Sequence, residues 1–153
     1  MIHMLVGIQG SGKSSFAKEL SEKEKIEIVS TDKIRKSIPN IEEYKVWEIV
    51  YNRMAELAKE GKDCIFDATS ITKKVRKRFF DNINKYGIEV KADCYYLDTD
   101  LEICVKRINE RNKDKNELYL PVDVIYSYKE RIEIPSVDEG FRKITVIKNY
   151  SYE

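Results

Sequence analysis

Eight residues near the start of the sequence, GIQGSGKS at residues 7–14, can hold a chain of phosphate groups. They fill every fixed position of the pattern G-x-x-x-x-G-K-[ST]. Because glycine has no Cβ atom, the backbone can approach a polyphosphate closely and direct consecutive N–H groups at its oxygens. We therefore predict that Gly10, Ser11 and Gly12 bind nucleotide phosphates, with Ser15 directly behind them.

Lys13 and Ser14 supply the charge and the metal position of this loop. The Lys13 ammonium is a flexible point charge that can reach the β- and γ-phosphates and act in catalysis, and the Ser14 hydroxyl is the expected ligand of Mg2+. A strand-like run at residues 4–6 precedes the loop and a helix-like run at residues 15–20 follows it, as phosphate binding requires. The competing interpretation is a glycine-rich turn that binds nothing.

Strand patterns alternate with helix patterns along the chain, which predicts an α/β fold with a parallel sheet covered by helices. The predicted strands are residues 2–7, 26–30, 64–66, 88–97 and 143–147, and the predicted helices are residues 13–22, 32–37, 43–59, 72–86, 100–111 and 121–133. We expect Thr31 to cap the second helix. Because no linker or repeat interrupts the pattern, one domain over residues 1–153 is expected.

Composition restricts the partners and the compartment. The 28 basic and 27 acidic residues give a net charge of +1, which predicts no general attraction to nucleic acid or membrane, so any site for a polyanion must be local. No stretch reaches the roughly 18 apolar residues of a membrane span. Cys64, Cys94 and Cys104 lack metal-binding spacing and are expected to be buried thiols, so we expect a reduced, cytoplasmic location. The sequence does not determine the oligomeric state, and a homo-oligomer is one of the alternatives.

Polar residues follow two predicted strands at their carboxyl ends, where parallel sheets bind ligands. After the second strand, Asp32 could take the proton of an attacking hydroxyl group, and Arg35 could bind an acceptor phosphate. The competing interpretation is that Asp32 only caps the helix and that Arg35 is a solvated surface charge. After the third strand, Asp67 could hold Mg2+ through water, could fix Arg35 by a charge-assisted pair, or could simply open a turn.

Two basic segments have alternative interpretations. The run KKVRKR at residues 73–78 is either a solvated helix face or a track for a nucleic-acid backbone. Arg107, Arg111 and Lys115 lie where a helix gives way to an irregular stretch, and residues 107–121 are predicted to form a mobile lid whose cations close over the donor phosphates. A charged helix end, favoured by the helix dipole, is the alternative.

Taken together, these segments resemble the P-loop polynucleotide 5′-kinase family, within the small P-loop kinases that include zeta toxins and AAA-type kinase domains. The resemblance rests on residues 7–14, STDKIR at residues 30–35, DATS at residues 67–70, the Arg111–Asn112 lid, LPVDVI at residues 120–125 and EGF at residues 139–141. It covers nearly the whole chain. It implies a five-stranded parallel sheet flanked by helices, with a helical lid.

The resemblance also implies roles for individual residues. Lys13 and Ser14 are expected to handle ATP and Mg2+. Asp32 is the expected general base. Arg35 is expected to bind the acceptor phosphate, with support from Asp67.

Thr69 and Ser70 are expected on the acceptor side, although the family commonly has Asn where this chain has Ser70. Lys115 occupies the position expected for the catalytic lid arginine, so either Arg111 or Arg107 takes over this role or the lid is weaker. The implied reaction is transfer of the γ-phosphoryl group of ATP to the 5′-hydroxyl of a DNA or RNA end. A kinase for a small hydroxylated metabolite or nucleoside, and a nucleotide-binding regulatory ATPase, remain alternatives.

Overall fold

One parallel sheet of five strands organises the molecule. The computed structural model describes residues 1–89 and 91–151. The strands are β1 Ile2–Val6, β2 Glu27–Ser30, β3 Cys64–Asp67, β4 Ala92–Asp98 and β5 Phe141–Lys148. They lie in the order β2-β3-β1-β4-β5, and each neighbouring pair is parallel. The expected α/β fold with a five-stranded parallel sheet is therefore confirmed. Val90, within the predicted fourth strand, lies outside the described residues.

In residues 1–89 and 91–151, six α-helices connect the strands and cover the sheet. They are α1 Lys13–Glu24, α2 Thr31–Ser37, α3 Glu43–Lys59, α4 Lys73–Lys85, α5 Leu101–Asn112 and α6 Val122–Arg131, and a 3₁₀ turn spans Val137–Glu139. In the described part of the chain, no helix has both the length and the hydropathy needed to cross a membrane.

The start of α2 differs from the prediction by one residue. Ser30, not Thr31, is the N-cap, and its Oγ accepts a hydrogen bond from the Lys33 N–H at 3.3 Å. Ser30 has the extended backbone that an N-cap needs, with φ −118° and ψ 125°, whereas Thr31 is already helical.

The core occupies both faces of the sheet, so its central strands are apolar on both sides. All five residues of β1 and all four of β3 are buried, as expected for a covered parallel sheet. On one face Phe66 stacks on Phe79 of α4 with ring centroids 4.4 Å apart. On the other face Leu5 and Ile65 pack against Ala17 of α1. Because both faces of the sheet are packed, the ends of the strands are held in fixed positions relative to one another.

A smaller apolar cluster supports the residues that follow β1. It joins Ile8 and Ile71 to α5 and α6, through Cys104, Ile108 and Ile125. Between these two helices, the predicted lid continues from α5 into residues 113–121, which are not helical. Asn112 closes this loop, because its Nδ2 donates to Leu120 O at 2.8 Å and its Oδ1 accepts from Leu120 N at 2.9 Å.

Candidate active site

The predicted site residues lie along one edge of the sheet because three neighbouring strands end there. Ser30 at the end of β2 lies in register with Asp67 at the end of β3. β3 in turn pairs with β1, which leads into the loop at residues 7–12. The N–H of Gly7 donates to Thr69 O at 3.2 Å and ties this loop to the residues after β3.

The loop at residues 7–12 packs tightly against α5 at Gly10. Gly10 and Gly12 have φ of +79° and +99°, in the left-handed region that favours glycine. A Cβ atom at Gly10 would lie 2.6 Å from the carbonyl oxygen of Cys104. Gly12 precedes α1 without any side-chain cap. The first N–H groups of α1 therefore suit an anion, at the positive end of the helix dipole.

Two buried polar atoms lie in this loop, and one of them, the Ser11 hydroxyl, can donate to a phosphate oxygen. Ser11 Oγ and Gln9 Oε1 are buried without a hydrogen-bond partner among the described residues. An unpaired buried polar atom is costly, so such atoms commonly mark a position that a ligand completes. Gln9 could not be identified from the sequence, because it occupies a variable position of the loop pattern.

Ser14 and Asp67 form a pair of oxygen donors beside the loop. The Ser14 hydroxyl donates to Asp67 Oδ2 at 3.1 Å, and Asp67 is 7% exposed. Hydroxyl and carboxylate oxygens are the ligands that Mg2+ prefers, with phosphate oxygens and water completing the shell. In residues 1–89 and 91–151 no group of three His, Cys, Asp or Glu side chains could hold a metal by itself. A cation here would depend on the nucleotide.

Arg35 is held between two carboxylates at the start of α2 and α3. Its Nη1 donates to Asp32 Oδ1 at 2.8 Å. Its Nη2 and Nε donate to the two carboxylate oxygens of Glu43 at 2.5 and 3.2 Å. The hydrogen bond from Arg35 holds the pKa of Glu43 below its ordinary value, and Glu43 raises the pKa of Arg35.

The contacts of Arg35 therefore differ from those that the family resemblance implies. Asp67, the expected support of Arg35, contacts Ser14 instead, and Glu43 has the supporting position. Glu43 lies eight residues beyond Arg35, and no sequence pattern links the two. Asp32 lies at the solvent edge of the group, with its side chain 75% exposed.

Arg107 contacts the backbone of the phosphate-binding loop. Its Nη1 donates to Gly10 O at 3.1 Å and its Nη2 to Tyr150 O at 2.6 Å. Tyr150 thereby lies close to Gly12, and its hydroxyl donates to Glu19.

The lid cations Arg111 and Lys115 are exposed to solvent. One lid side chain, Glu117, reaches α2 and pairs with Lys36 at 2.7 Å. The lid therefore contacts the helix that carries Asp32 and Arg35.

The phosphate-binding loop between β1 and α1, with the order of the strands, identifies the type of domain. The AAA domain family matches residues 2–135. The chain belongs to this family. The family match confirms the expected small P-loop kinase domain, a fold that binds nucleotides.

Three known proteins are similar to this chain in sequence or in fold. The bifunctional polynucleotide phosphatase/kinase of Schizosaccharomyces pombe is 27% identical over 143 residues, which are 94% of this chain and 32% of that protein. The chain thus spans about a third of the length of this curated relative. A fungal RNA kinase structure has a TM-score of 0.70 at 16% identity, covering 99% of this chain and 75% of that one. A sugar kinase from Janibacter has a TM-score of 0.69 at 18% identity, covering 97% and 84%.

Proposed function

We propose that the protein is an ATP-dependent kinase that transfers the γ-phosphoryl group to the 5′-hydroxyl of a DNA or RNA end. One observation carries the proposal. The loop at residues 7–12, the Ser14–Asp67 pair and the Asp32–Arg35 pair all follow strands that end at one edge of the sheet. A donor phosphate held by the loop after β1 would thus lie on the same edge of the sheet as the Asp32 carboxylate and the Arg35 guanidinium of α2, which follows β2, two strands away.

The chemistry is an in-line displacement at the γ-phosphorus. Asp32 takes the proton of the 5′-hydroxyl, the hydroxyl oxygen forms the new P–O bond, and ADP leaves with the electrons of the old one. Lys13 and the N–H groups of the loop stabilise the charge on the phosphates. Ser14 and Asp67 would hold Mg2+, which neutralises phosphate charge and orients the γ-phosphoryl group when bound.

Binding of the acceptor is assigned to α2 and to the residues after β3. Arg35 offers its planar guanidinium to the phosphate that follows the terminal nucleoside, and Thr69 and Ser70 line the same side. Arg111 and Lys115 are the proposed lid cations. The polynucleotide phosphatase/kinase relative supports a nucleic-acid acceptor, because its similarity extends over 94% of this chain.

A kinase for a small hydroxylated metabolite is the second candidate, and a specific contact favours it. Glu43 already holds Arg35 through two hydrogen bonds, so the guanidinium is neutralised before any acceptor arrives. A neutral acceptor would not need to displace this carboxylate. The sugar kinase with the same fold is in keeping with such an acceptor.

The deciding experiment is transfer of labelled γ-phosphate from ATP with Mg2+ to a panel of acceptors. The panel holds 5′-hydroxyl DNA and RNA oligonucleotides, their 5′-phosphorylated counterparts as blocked controls, nucleosides and small sugars. Label on the 5′-hydroxyl oligonucleotides alone supports the proposal. Label on a sugar or nucleoside alone supports the second candidate, and slow ATP hydrolysis without transfer indicates a regulatory ATPase.

A further inference from the structure

The guanidinium of Arg76 is completely buried, although the residue lies in the basic run at residues 73–78. Arg76 is 0% exposed, while Lys73, Lys74, Lys77 and Arg78 are exposed. A run of this composition predicts a solvated helix face, and that prediction fails at Arg76 alone among its five basic residues. Burial of a cation is costly and requires both a counter-charge and hydrogen bonds.

Glu139 supplies the counter-charge. Arg76 Nε donates to Glu139 Oε1 at 2.7 Å, and Nη2 donates to Oε2 at 3.2 Å. Glu139 is itself fixed, because Oε2 also accepts from the Ser136 N–H at 2.9 Å within the capping box of the 3₁₀ turn. The carboxylate is only 11% exposed, so the pair is largely removed from water.

The remaining hydrogen bonds of Arg76 go to two backbone carbonyl groups. Nη1 donates to Ser70 O at 2.8 Å and Nη2 donates to Glu133 O at 3.1 Å. Ser70 belongs to the residues assigned to the acceptor side, and Glu133 lies just beyond α6. The same two segments are joined by a bond from Glu133 N to Ile71 O at 2.8 Å.

The backbone at Ser70 explains why such a support is needed. Ser70 has a φ of +47°, a left-handed conformation that residues with a Cβ rarely adopt. Conformations of this kind persist only where the surrounding structure holds them, and they cluster at functional sites. A buried ion pair is by itself weak support for stability, since apolar replacement is often neutral, so the geometry that it imposes is the better explanation.

We propose that Arg76, neutralised by Glu139, is a positioning residue that sets the acceptor side of the site. It holds Ser70 in its left-handed conformation and joins the residues after β3 to the segment that follows α6. This assignment rests on the proposed function, because it presumes that Thr69 and Ser70 face the acceptor. Among the described residues, Arg76 forms no hydrogen bond with the donor loop or with the Ser14–Asp67 pair, so its direct effect should fall on the acceptor side.

The test compares R76K with R78K, an exposed arginine two residues along the same helix. Lysine keeps the charge of Arg76 but cannot donate from a planar fork to a carboxylate and two carbonyls at once. We expect R76K to raise the KM for the acceptor about tenfold, because small displacements in a site are costly. The KM for ATP, acceptor-independent ATP hydrolysis and all parameters of R78K should stay within about twofold of the parent protein.

A second variant and a second readout keep the outcome clear. E139Q keeps the shape of the pair but removes the counter-charge of Arg76, and it should shift the KM for the acceptor in the same direction. Equal losses in the ATP and acceptor parameters, in step with a lower melting temperature, would show a merely structural role and overturn the proposal. Unchanged acceptor KM in both variants would also overturn it.

Amide hydrogen exchange at residues 69–72 separates this proposal from the proposed function. If the parent protein phosphorylates no member of the panel, the proposed function fails. The positioning role then still predicts faster exchange at these amides in R76K and E139Q, with R78K unchanged. Exchange that matches the parent protein would exclude the positioning role.

Discussion

Asp32 is the residue on which phosphoryl transfer depends in the proposed mechanism. Replacement by Asn keeps the size and polarity of the side chain but removes the basic oxygen. We expect D32N to lower kcat by about 10² to 10⁴. Binding of ATP, measured by calorimetry, should stay unchanged because the donor loop is untouched.

The control for D32N is Asp81→Asn on α4. Asp81 is also an exposed carboxylate paired with a basic neighbour, Lys77 at 2.9 Å, but it lies on a different element. D81N should transfer phosphate at the parental rate. Transfer by D32N at that rate would remove Asp32 from the role of base.

In the proposed mechanism, Glu43 competes with an anionic acceptor for Arg35. The lowered pKa of Glu43 keeps it ionised at any pH above its ordinary value of 4.5, so the pair persists at neutral pH. E43Q removes the charge but keeps an amide that can still contact Arg35. We expect the KM for a 5′-hydroxyl oligonucleotide to fall about threefold to tenfold, in line with the energy of one charge-assisted hydrogen bond.

Glu42→Gln, one residue earlier, is the matched control, since it makes the same change of net charge. Its KM for the oligonucleotide should equal that of the parent protein. An uncharged acceptor should respond to neither variant. A raised KM in E43Q would mean that Glu43 orients Arg35 and does not compete for it.

At the level of helices and strands, much of the fold and part of the site could be predicted from the sequence. The alternation of strand and helix patterns predicts the parallel sheet, and the carboxyl ends of such strands share one edge, which places Asp32 and Asp67 on the same edge of the sheet as the loop. The partner of Arg35 could not be predicted, because Glu43 reaches it only through the turn between α2 and α3. The burial of Arg76 could not be predicted either, because its counter-charge comes from Glu139, 63 residues away.

The lid depends on Asn112, whose side chain makes two hydrogen bonds to Leu120 across the loop. We expect N112A to free residues 113–121, which would raise the KM for ATP and speed amide exchange in this segment. Asn116→Ala is the matched control, because the structure shows Asn116 bonded through its backbone N–H to Asp114. Equal exchange in the two variants would show that Asn112 does not close the lid.

The edge strand β5 is fixed to β4 by a bidentate pair. Arg142 Nε and Nη2 donate to the two oxygens of Asp93 at 2.9 and 2.7 Å, and Asp93 is 6% exposed. This contact holds the pKa of Asp93 below its ordinary 3.8. A depressed carboxyl pKa contributes stability above the ordinary value, and the contribution disappears as the pH falls through the depressed one.

We therefore expect R142Q to lower the free energy of unfolding at pH 7 by only the small amount that a solvent-exposed arginine contributes to an ion pair. The stability of the variant should also depend less on pH below about 4. Urea titrations at several pH values would measure both effects. In a double-mutant cycle with D93N, simple additivity of the two losses would contradict the pairing.

At the scale of the whole molecule, the reactivity of the three cysteines indicates how well the core is protected from solvent. Cys64, Cys94 and Cys104 are all buried free thiols. Burial raises the pKa of Cys64 and of Cys94 to about 12 and raises that of Cys104 as well. Since the thiolate is the reactive form, the folded protein should be inert towards thiol reagents at pH 8.

Labelling with Ellman's reagent should therefore occur only through opening of the structure, with three thiols reacting in denaturant. Cys104 adds a functional readout, because its backbone lies against Gly10 of the phosphate-binding loop. ATP that holds this loop closed should slow labelling of Cys104 more than labelling of Cys94, which lies within β4. Single Cys→Ser variants assign the rates. Rapid labelling of the native protein would contradict the burial, and equal protection of both thiols by ATP would indicate global stabilisation without local closure of the loop.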